Sequence, residues 1–308
     1  MVLQTLLILS AALALFHISK AFLVLAKWVW ASFLRPVKDL KEYGSWAIVT
    51  GPTDGIGKQL AFLLARRGLN LVLVGRNPSK LSSVSNDILK LHSSIETKSI
   101  VVDLGTEVDK GMKKIKEGIS GLDIGILINN AGTGYPYARF LHEADEELVE
   151  RIIRVNVEST TKLTHLVLPE MLKKKKGAIV NIGSGAGSLV PSYPLNTVYA
   201  STKAYIAHFS KSLHVEYKQF GIDVQCQVPM FVATKMVAKK PSFLVPRADE
   251  FAKSCIAWIG YESLCVPYWP HFLHSLALSQ LPDALLNWWL FHLFLGLRKK
   301  AQMKDQTK

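Results

Sequence analysis

The chain has little cysteine, and what it has follows no metal-binding or redox spacing. Only Cys226, Cys255 and Cys265 occur in 308 residues. An odd count without a framework excludes a disulfide scaffold and fits a reducing compartment. Zinc-finger spacing, an arginine-rich arm and an aromatic RNA-binding signature are also missing, so the net charge of +13 is not read as a nucleic-acid surface. An anionic membrane, an acidic ligand or ordinary solvated lysines account for that excess. No internal repeat or long low-complexity tract interrupts the chain. No formally charged side chain occurs between Met1 and Ser19.

What the start does contain is apolar sequence. The run from Thr5 to Phe16 is followed by Lys20, then by Ala21 to Leu34 with Lys27 as its one charge. A helix needs roughly 20 apolar residues to cross a bilayer core. Lys20 near the end of such a span can snorkel, and Trp28, Trp30 and Phe33 suit an interface. A membrane anchor over residues 1–34 is therefore expected. The rival is a cleaved signal peptide, which usually starts with basic residues; here none precede the apolar run. A buried core helix is the third reading. Arg35, Lys38 and Lys41 follow the run, which places the rest of the chain in the cytosol and Met1 in the lumen.

The organising stretch is Thr50-Gly51-Pro52-Thr53-Asp54-Gly55-Ile56-Gly57. It follows the apolar run Trp46 to Val49 and precedes a helical pattern from Lys58 to Arg67. Strand, glycine turn and helix is the arrangement that receives a dinucleotide pyrophosphate. The glycines let the backbone approach the phosphates, and the helix start offers free N–H groups. Further apolar runs, Leu71–Val74, Ile100–Asp103, Ile124–Gly132, Ala178–Ile182 and Ile222–Val228, alternate with helical patterns. That alternation predicts an α/β fold with a doubly wound parallel sheet of the Rossmann type.

Positions at the strand ends suggest the cofactor. After Val74 stand Gly75, Arg76 and, nearby, Lys80, with no carboxylate. An acid there would hold the 2′-hydroxyl of NAD; a cation suits the 2′-phosphate of NADP. Asp103 is placed to reach the adenine edge. Tyr199 and Lys203, four residues apart, share one face of a predicted helix. Asn156 sits inside a long helical segment, Glu146 to Lys176, where asparagine is a poor choice.

Together the glycine turn, Asn129-Asn130-Ala131-Gly132, Asn156, Ser184 and Tyr199-x3-Lys203 resemble the short-chain dehydrogenase/reductase family. The likeness runs from about Tyr43 to Met236. The wording of residues 44–58, 221–229 and 267–271 is similar to the membrane-bound very-long-chain 3-oxoacyl-CoA reductases of that family, especially those of plants. The resemblance implies NADPH as cofactor, held by Gly51, Thr53, Asp54, Gly55, Ile56, Gly57, Arg76, Lys80, Asp103, Asn130, Ala131, Tyr199, Lys203 and Thr234. It implies Tyr199 as proton donor, Lys203 holding the nicotinamide ribose, Ser184 steadying the substrate carbonyl and Asn156 anchoring a water. A lysine ammonium at about 4 Å would favour tyrosinate by roughly 4 kcal/mol at an effective dielectric of about 20, lowering the Tyr199 pKa. Ser184 lies fifteen residues before Tyr199, where many relatives have thirteen, so Ser188 is a second candidate. Met230 after Pro229 and Asn196 before the helix also depart from the family pattern.

The implied substrate is a long acyl-CoA, reduced in fatty-acid elongation at the endoplasmic reticulum membrane. Other elongation enzymes and a second copy of the chain are further candidate partners. A steroid or other hydrophobic ketone, and a non-catalytic NADPH-binding scaffold, are the alternative readings. The expected division is an anchor at 1–34, a basic linker at 35–44, an NADP-binding catalytic domain at 45–236, and a lid with apolar helices and basic tail at 237–308. Lys239 and Lys240 could meet CoA phosphates, and the run Leu285 to Leu297 either packs on the core, dips into the membrane interface or contacts another copy.

Overall fold

The structure, a computed structural model, describes residues 2–237 and 239–306. The expected luminal position of Met1 lies outside the described residues. The chain divides into two compact units, one up to Val37 and one from Lys38 onward. The first is a helix, α1 (Val2–Val29), closed by a π-helical turn Trp30–Leu34. Together they make 33 residues of mean hydropathy 2.0 in their best window, long and apolar enough to cross a membrane. The helix is exposed almost all round, including Leu6, Leu9, Leu13, Phe16 and Leu23. A core helix buries at least one face, so that reading falls away.

The second unit begins inside the expected linker. Leu40 and Tyr43 are buried, and Lys38 donates to the Asp223 carboxylate at 2.9 Å. Residues 38–43 are thus part of the folded body.

Strands and helices then alternate: β1 (Trp46–Thr50), α2 (Gly55–Arg66), β2 (Asn70–Gly75), α3 (Pro78–Leu91), β3 (Thr97–Val101), α4 (Val108–Ile119) and β4 (Ile124–Asn129). Next come α5 (Glu146–Ile153), α6 (Ser159–Lys174), β5 (Gly177–Ile182), α7 (Gly185–Ser188), α8 (Thr197–Tyr217) and β6 (Ile222–Gln227). The chain ends with α9 (Ala248–Trp258), β7 (Leu264–Cys265), α10 (Trp269–Leu278) and α11 (Asp283–Gln306). Local chemistry sets several starts. Asp54, Asn77 and Asp145 cap α2, α3 and α5 with side-chain oxygens, and Pro78 stands at the first position of α3.

All seven strands are parallel, in the order β3-β2-β1-β4-β5-β6-β7. Strands β1, β4 and β5 are buried along their whole length. Two apolar cores lie on the two faces: Val49, Leu60, Leu64 and Phe251 belong to one, Ile48, Leu127, Leu163 and Met171 to the other. Burying one such side chain contributes about 1.5–3 kcal/mol, more than a typical exposed ion pair. Order reverses between β1 and β4, so their carboxyl ends open the crevice where this fold binds ligands.

The third strand differs from expectation. It runs Thr97–Val101 and leaves Asp103 in the turn beyond it. The short β7 was not foreseen, because two residues carry no readable period. It extends the sheet, so the C-terminal part shares one compact unit with the strands. In α11 Leu286, Leu290 and Phe294 form a buried stripe, and Leu290 and Phe294 pack with Ala138, Leu195 and Tyr193. The opposite face leaves Leu285, Trp288, Trp289 and Leu293 exposed. The run is core-packed on one side and free on the other.

Candidate active site

The crevice is a cleft of about 580 Å³ whose lining runs from the glycine turn to Tyr199. Gly51 and Gly55 take φ of +65° and +54°, where a side chain would be strained. Gly57 is required for a different reason. A Cβ there would lie 2.2 Å from Asn130 Nδ2 and 2.4 Å from the Gly51 carbonyl oxygen. Asn130 Nδ2 donates to the Thr50 and Gly51 carbonyls at 3.0 and 3.1 Å. The Thr50 hydroxyl accepts from the Asn130 and Ala131 N–H groups at 3.0 and 2.9 Å. The end of β4 thus clamps the turn at the end of β1. Thr50 opens the organising stretch but was not among the residues expected to hold the cofactor. Gly57→Ala must push this clamp apart, and dinucleotide affinity should fall at least about tenfold, the loss of one or two hydrogen bonds. A fluorescence titration with NADPH checks it.

Asp54 accepts from the Gly55 N–H at 2.8 Å and pairs with Lys235 at 2.9 Å. Burial alone would raise its carboxyl, but the Lys235 and Gly55 hydrogen bonds hold it below the ordinary value. Thr234 packs beside Gly55, and a Cβ on that glycine would meet its methyl at 3.1 Å. The segment around Thr234 therefore closes over the glycine turn. Thr53 and Ile56 line the same end.

Arg76 and Lys80 line the far end, both exposed. Asn77 orients that edge, accepting from the Lys80 N–H at 2.9 Å. Asp103 also lines the cleft, but its carboxylate faces protein. It accepts from the Gly105 N–H at 2.8 Å and from Arg151 at 3.4 Å. Arg151, on α5, carries no sequence signal; it meets Asp103 across 48 residues.

At the other end α8 presents Tyr199 and Lys203. Lys203 is buried and Tyr199 half-buried, and Lys203 donates to the Ile182 carbonyl at the end of β5, at 2.8 Å. The Ser184 side chain lines the same end of the cleft and acts on the Tyr199 phenol. Ser184 also accepts from the Ala186 N–H at 3.2 Å, capping α7. Ser188 ends that one-turn helix with its hydroxyl buried and unpartnered among the described residues, away from the cleft lining. The geometry therefore favours Ser184 over Ser188. Gly187 lets α7 press on α8, since a Cβ would lie 2.3 Å from the Ala204 nitrogen.

Asn156 sits in a π-helical turn, Arg154–Glu158, between α5 and α6. Such a turn is a recurrent device at functional sites. Its side chain donates to the Thr133 carbonyl and to Thr202 Oγ1, and accepts from the Thr133 N–H, each at 2.9 Å. Both amide hydrogens are thereby committed to protein. The side chain braces Thr133 and the first turns of α8.

The expected electrostatics need correcting. Lys203 Nζ lies 6.0 Å from the centre of the Tyr199 ring. Burial holds the Tyr199 phenol above its ordinary range, with the Ser184 hydrogen bond partly opposing. Burial likewise pushes Lys203 down to about 8. Desolvation of both groups outweighs the attraction that spacing alone implied.

A glycine-lined turn, a helix start and a phenol beside a buried lysine define a nucleotide-dependent oxidoreductase. The short chain dehydrogenase pattern matches residues 45–244, and the chain belongs to that family. It is 49% identical over 292 residues to the very-long-chain 3-oxoacyl-CoA reductase-like protein of Arabidopsis thaliana, covering 93% of this chain and 92% of that one. It is 43% identical over 268 residues to the very-long-chain 3-oxoacyl-CoA reductase of Rattus norvegicus, covering 86% and 83%. Among solved structures it resembles the short-chain dehydrogenase from Sphingobium yanoikuyae in complex with NADPH, at 26% identity and a TM-score of 0.65, covering 78% and 97%.

Proposed function

We propose that the chain reduces very-long-chain 3-oxoacyl-CoA to 3-hydroxyacyl-CoA with NADPH, as a step of fatty-acid elongation. The observation that carries the chemistry is the meeting of Tyr199, Ser184 and Lys203 at the head of the glycine-lined cleft. The names of the relatives support the substrate class.

The cleft fits the cofactor by its own features. Gly51 and Gly55 line the cleft with positive-φ backbone free of any Cβ, and Arg76 and Lys80 offer cations where a 2′-phosphate would lie. When bound, NADPH supplies a hydride to the substrate carbonyl carbon. Ser184 hydrogen-bonds the carbonyl oxygen and steadies its growing charge. Tyr199 delivers the proton to that oxygen. Lys203, fixed by the Ile182 carbonyl, holds the ribose beside the phenol. Asn156 keeps Thr133 and Thr202 in register behind them.

Lys203 is an ammonium below about 8 and neutral above it. Activity that needs the cation should decline as pH rises through about 8. A kcat/KM profile checks this; Lys203→Arg, which keeps its charge, should flatten that alkaline limb while lowering the plateau.

The apolar α1 serves as a bilayer anchor in the endoplasmic reticulum, with the unit from Lys38 onward in the cytosol. Its length and hydropathy support an anchor, and the basic residues after it support the orientation. Such an anchor suits a substrate whose tail partitions into lipid. The exposed apolar face of α11 is suited to the same interface. NADPH oxidation by membranes containing the full chain tests the whole reading. Long 3-oxoacyl-CoA should be turned over at least tenfold faster than ketosteroids; reaction with steroids alone would overturn the substrate.

A further inference from the structure

Helix α8, which carries Tyr199, starts without help from its own sequence. Helices α2, α3 and α5 are each capped by a side-chain oxygen, but Asn196, at the cap position of α8, makes no such bond. Tyr199 is the third residue of α8, so it stands in the turn that an uncapped start leaves weakest. Other parts of the chain must hold that turn.

The residue just before the cap is held out of its ordinary conformation. Leu195 takes φ of +60°, in the left-handed region. Lys175 is the other non-glycine residue with positive φ among the described residues, and it closes α6, where that conformation is a common stop. Leu195 closes no helix. The left-handed form costs a residue with a Cβ roughly five- to thirtyfold in population. It persists only where the surroundings impose it, and such residues gather at functional sites.

The surroundings here are specific. Leu195 is buried in one apolar cluster with Ala138, Leu290 and Phe294. Its carbonyl accepts from the Arg139 N–H at 2.9 Å, and the Tyr135 hydroxyl accepts from the Val198 N–H at 3.4 Å. The 134–139 segment is thus laced to the entrance of α8, and Gly134 lies against the Tyr199 ring. Helix α11 backs both strands of this lacing. Phe294 packs on Tyr193 with ring centres 4.6 Å apart, Ser192 donates to Asn287 at 2.5 Å, and Arg298 pairs with Glu143.

We propose that Leu195 is a positioning residue: α11 presses it into the left-handed conformation through Leu290 and Phe294, and that conformation aims the first turn of α8 and with it Tyr199. The C-terminal helix thereby belongs to the proton-donor machinery without touching the cleft, since neither Leu195 nor Phe294 lines it. This rests on the reductase reading for its kinetic consequence, but not for its structural one.

The test uses the full chain reconstituted in lipid nanodiscs. Phe294→Ala removes the backing and leaves Leu195 in place. The first readout is amide hydrogen exchange at Val198 and Ala200, whose partners are Tyr135 and the Asn196 carbonyl. It needs no activity. Exchange there should speed about tenfold or more, with the first turn of α2 unchanged, and Phe294→Leu should restore part of the protection. The second readout is ketone reduction: kcat should fall about tenfold in Phe294→Ala, while NADPH affinity stays within about twofold of wild type. The third compares Leu195→Ala with Leu195→Gly. Both delete the packed side chain, but only alanine keeps a Cβ at positive φ. Glycine should retain about threefold or more of the alanine variant's kcat, the reverse of the order that packing alone gives.

Wild-type exchange at Val198 and Ala200 in a folded Phe294→Ala would overturn the proposal. So would exchange raised equally throughout the chain, which marks a merely structural role, or an alanine variant at Leu195 as active as the glycine one. Should alanine at either position fail to fold, Phe294→Leu decides: wild-type exchange at both amides overturns the proposal, and exchange raised there alone supports it. Faster exchange at the start of α8 without any ketone reduction by the wild type would leave the positioning role standing and remove the reductase reading instead.

Discussion

Replacing Tyr199 by phenylalanine should lower kcat by about 10²- to 10⁴-fold, the usual contribution of a positioned general acid. NADPH binding should stay within a few-fold of wild type. The substitution removes one oxygen from a half-buried side chain that shares the cleft lining with Ser184. Ring packing against Gly134, where a Cβ would lie 3.1 Å from Tyr199 Cδ2, is unchanged. Ser184 keeps its hydrogen bond from the Ala186 N–H and so is not left unpaired. The fold should therefore survive, and the loss should report the missing proton. Single-turnover reduction with purified full chain, beside an NADPH titration, separates the two effects. Turnover near wild type would show that another group protonates the carbonyl.

The same geometry explains why the donor is used in its neutral form. A tyrosine beside a lysine suggests, from spacing alone, a phenol drawn toward tyrosinate. Burial of both groups reverses that expectation: Tyr199 is held up and Lys203 pushed down. A protonated phenol is what reduction requires. Spacing could be read from the sequence because Tyr199 and Lys203 lie on one helix. Desolvation could not, because it depends on β5, β6 and the 132–134 segment closing around them.

That division runs through the whole molecule. The glycine turn, the strand ends and the Tyr–Lys pair were legible because each is local or ends an apolar run. The choice between Ser184 and Ser188 was not. It turns on a single helical turn, α7, that Ser184 caps and Gly187 presses against α8. Asn156 looked anomalous in a helix because a π-helical turn has no marker in the spacing of apolar residues. The Arg151–Asp103 and Lys38–Asp223 contacts join residues 48 and 185 positions apart. No periodicity encodes such pairings. The buried stripe of α11 was likewise hidden, because its exposed face is equally apolar.

Exchanging Arg76 for aspartate should invert the cofactor preference. Arg76 follows β2 at the rim of the cleft, exposed, with Asn77 fixing the start of α3 beside it. A guanidinium there can bind a phosphate through paired N–H groups, a charge-assisted contact of about 1.5–3 kcal/mol. Aspartate removes that contact and adds a like charge against the phosphate. The sum should weaken NADPH by about 10²-fold or more, at about 1.4 kcal/mol per tenfold. NADH has no phosphate at that position, and a carboxylate there can accept from its ribose hydroxyl. Its affinity should stay level or improve. Lys80 remains, so NADPH binding should be weakened and still detectable. Because Arg76 is exposed and packs into neither core, melting temperature should hardly move. Titration of both nucleotides into wild type and variant decides the matter. Equal losses for NADH and NADPH would mean that Arg76 supports the cleft without reading the phosphate, and the cofactor assignment would then have to rest on Lys80 alone.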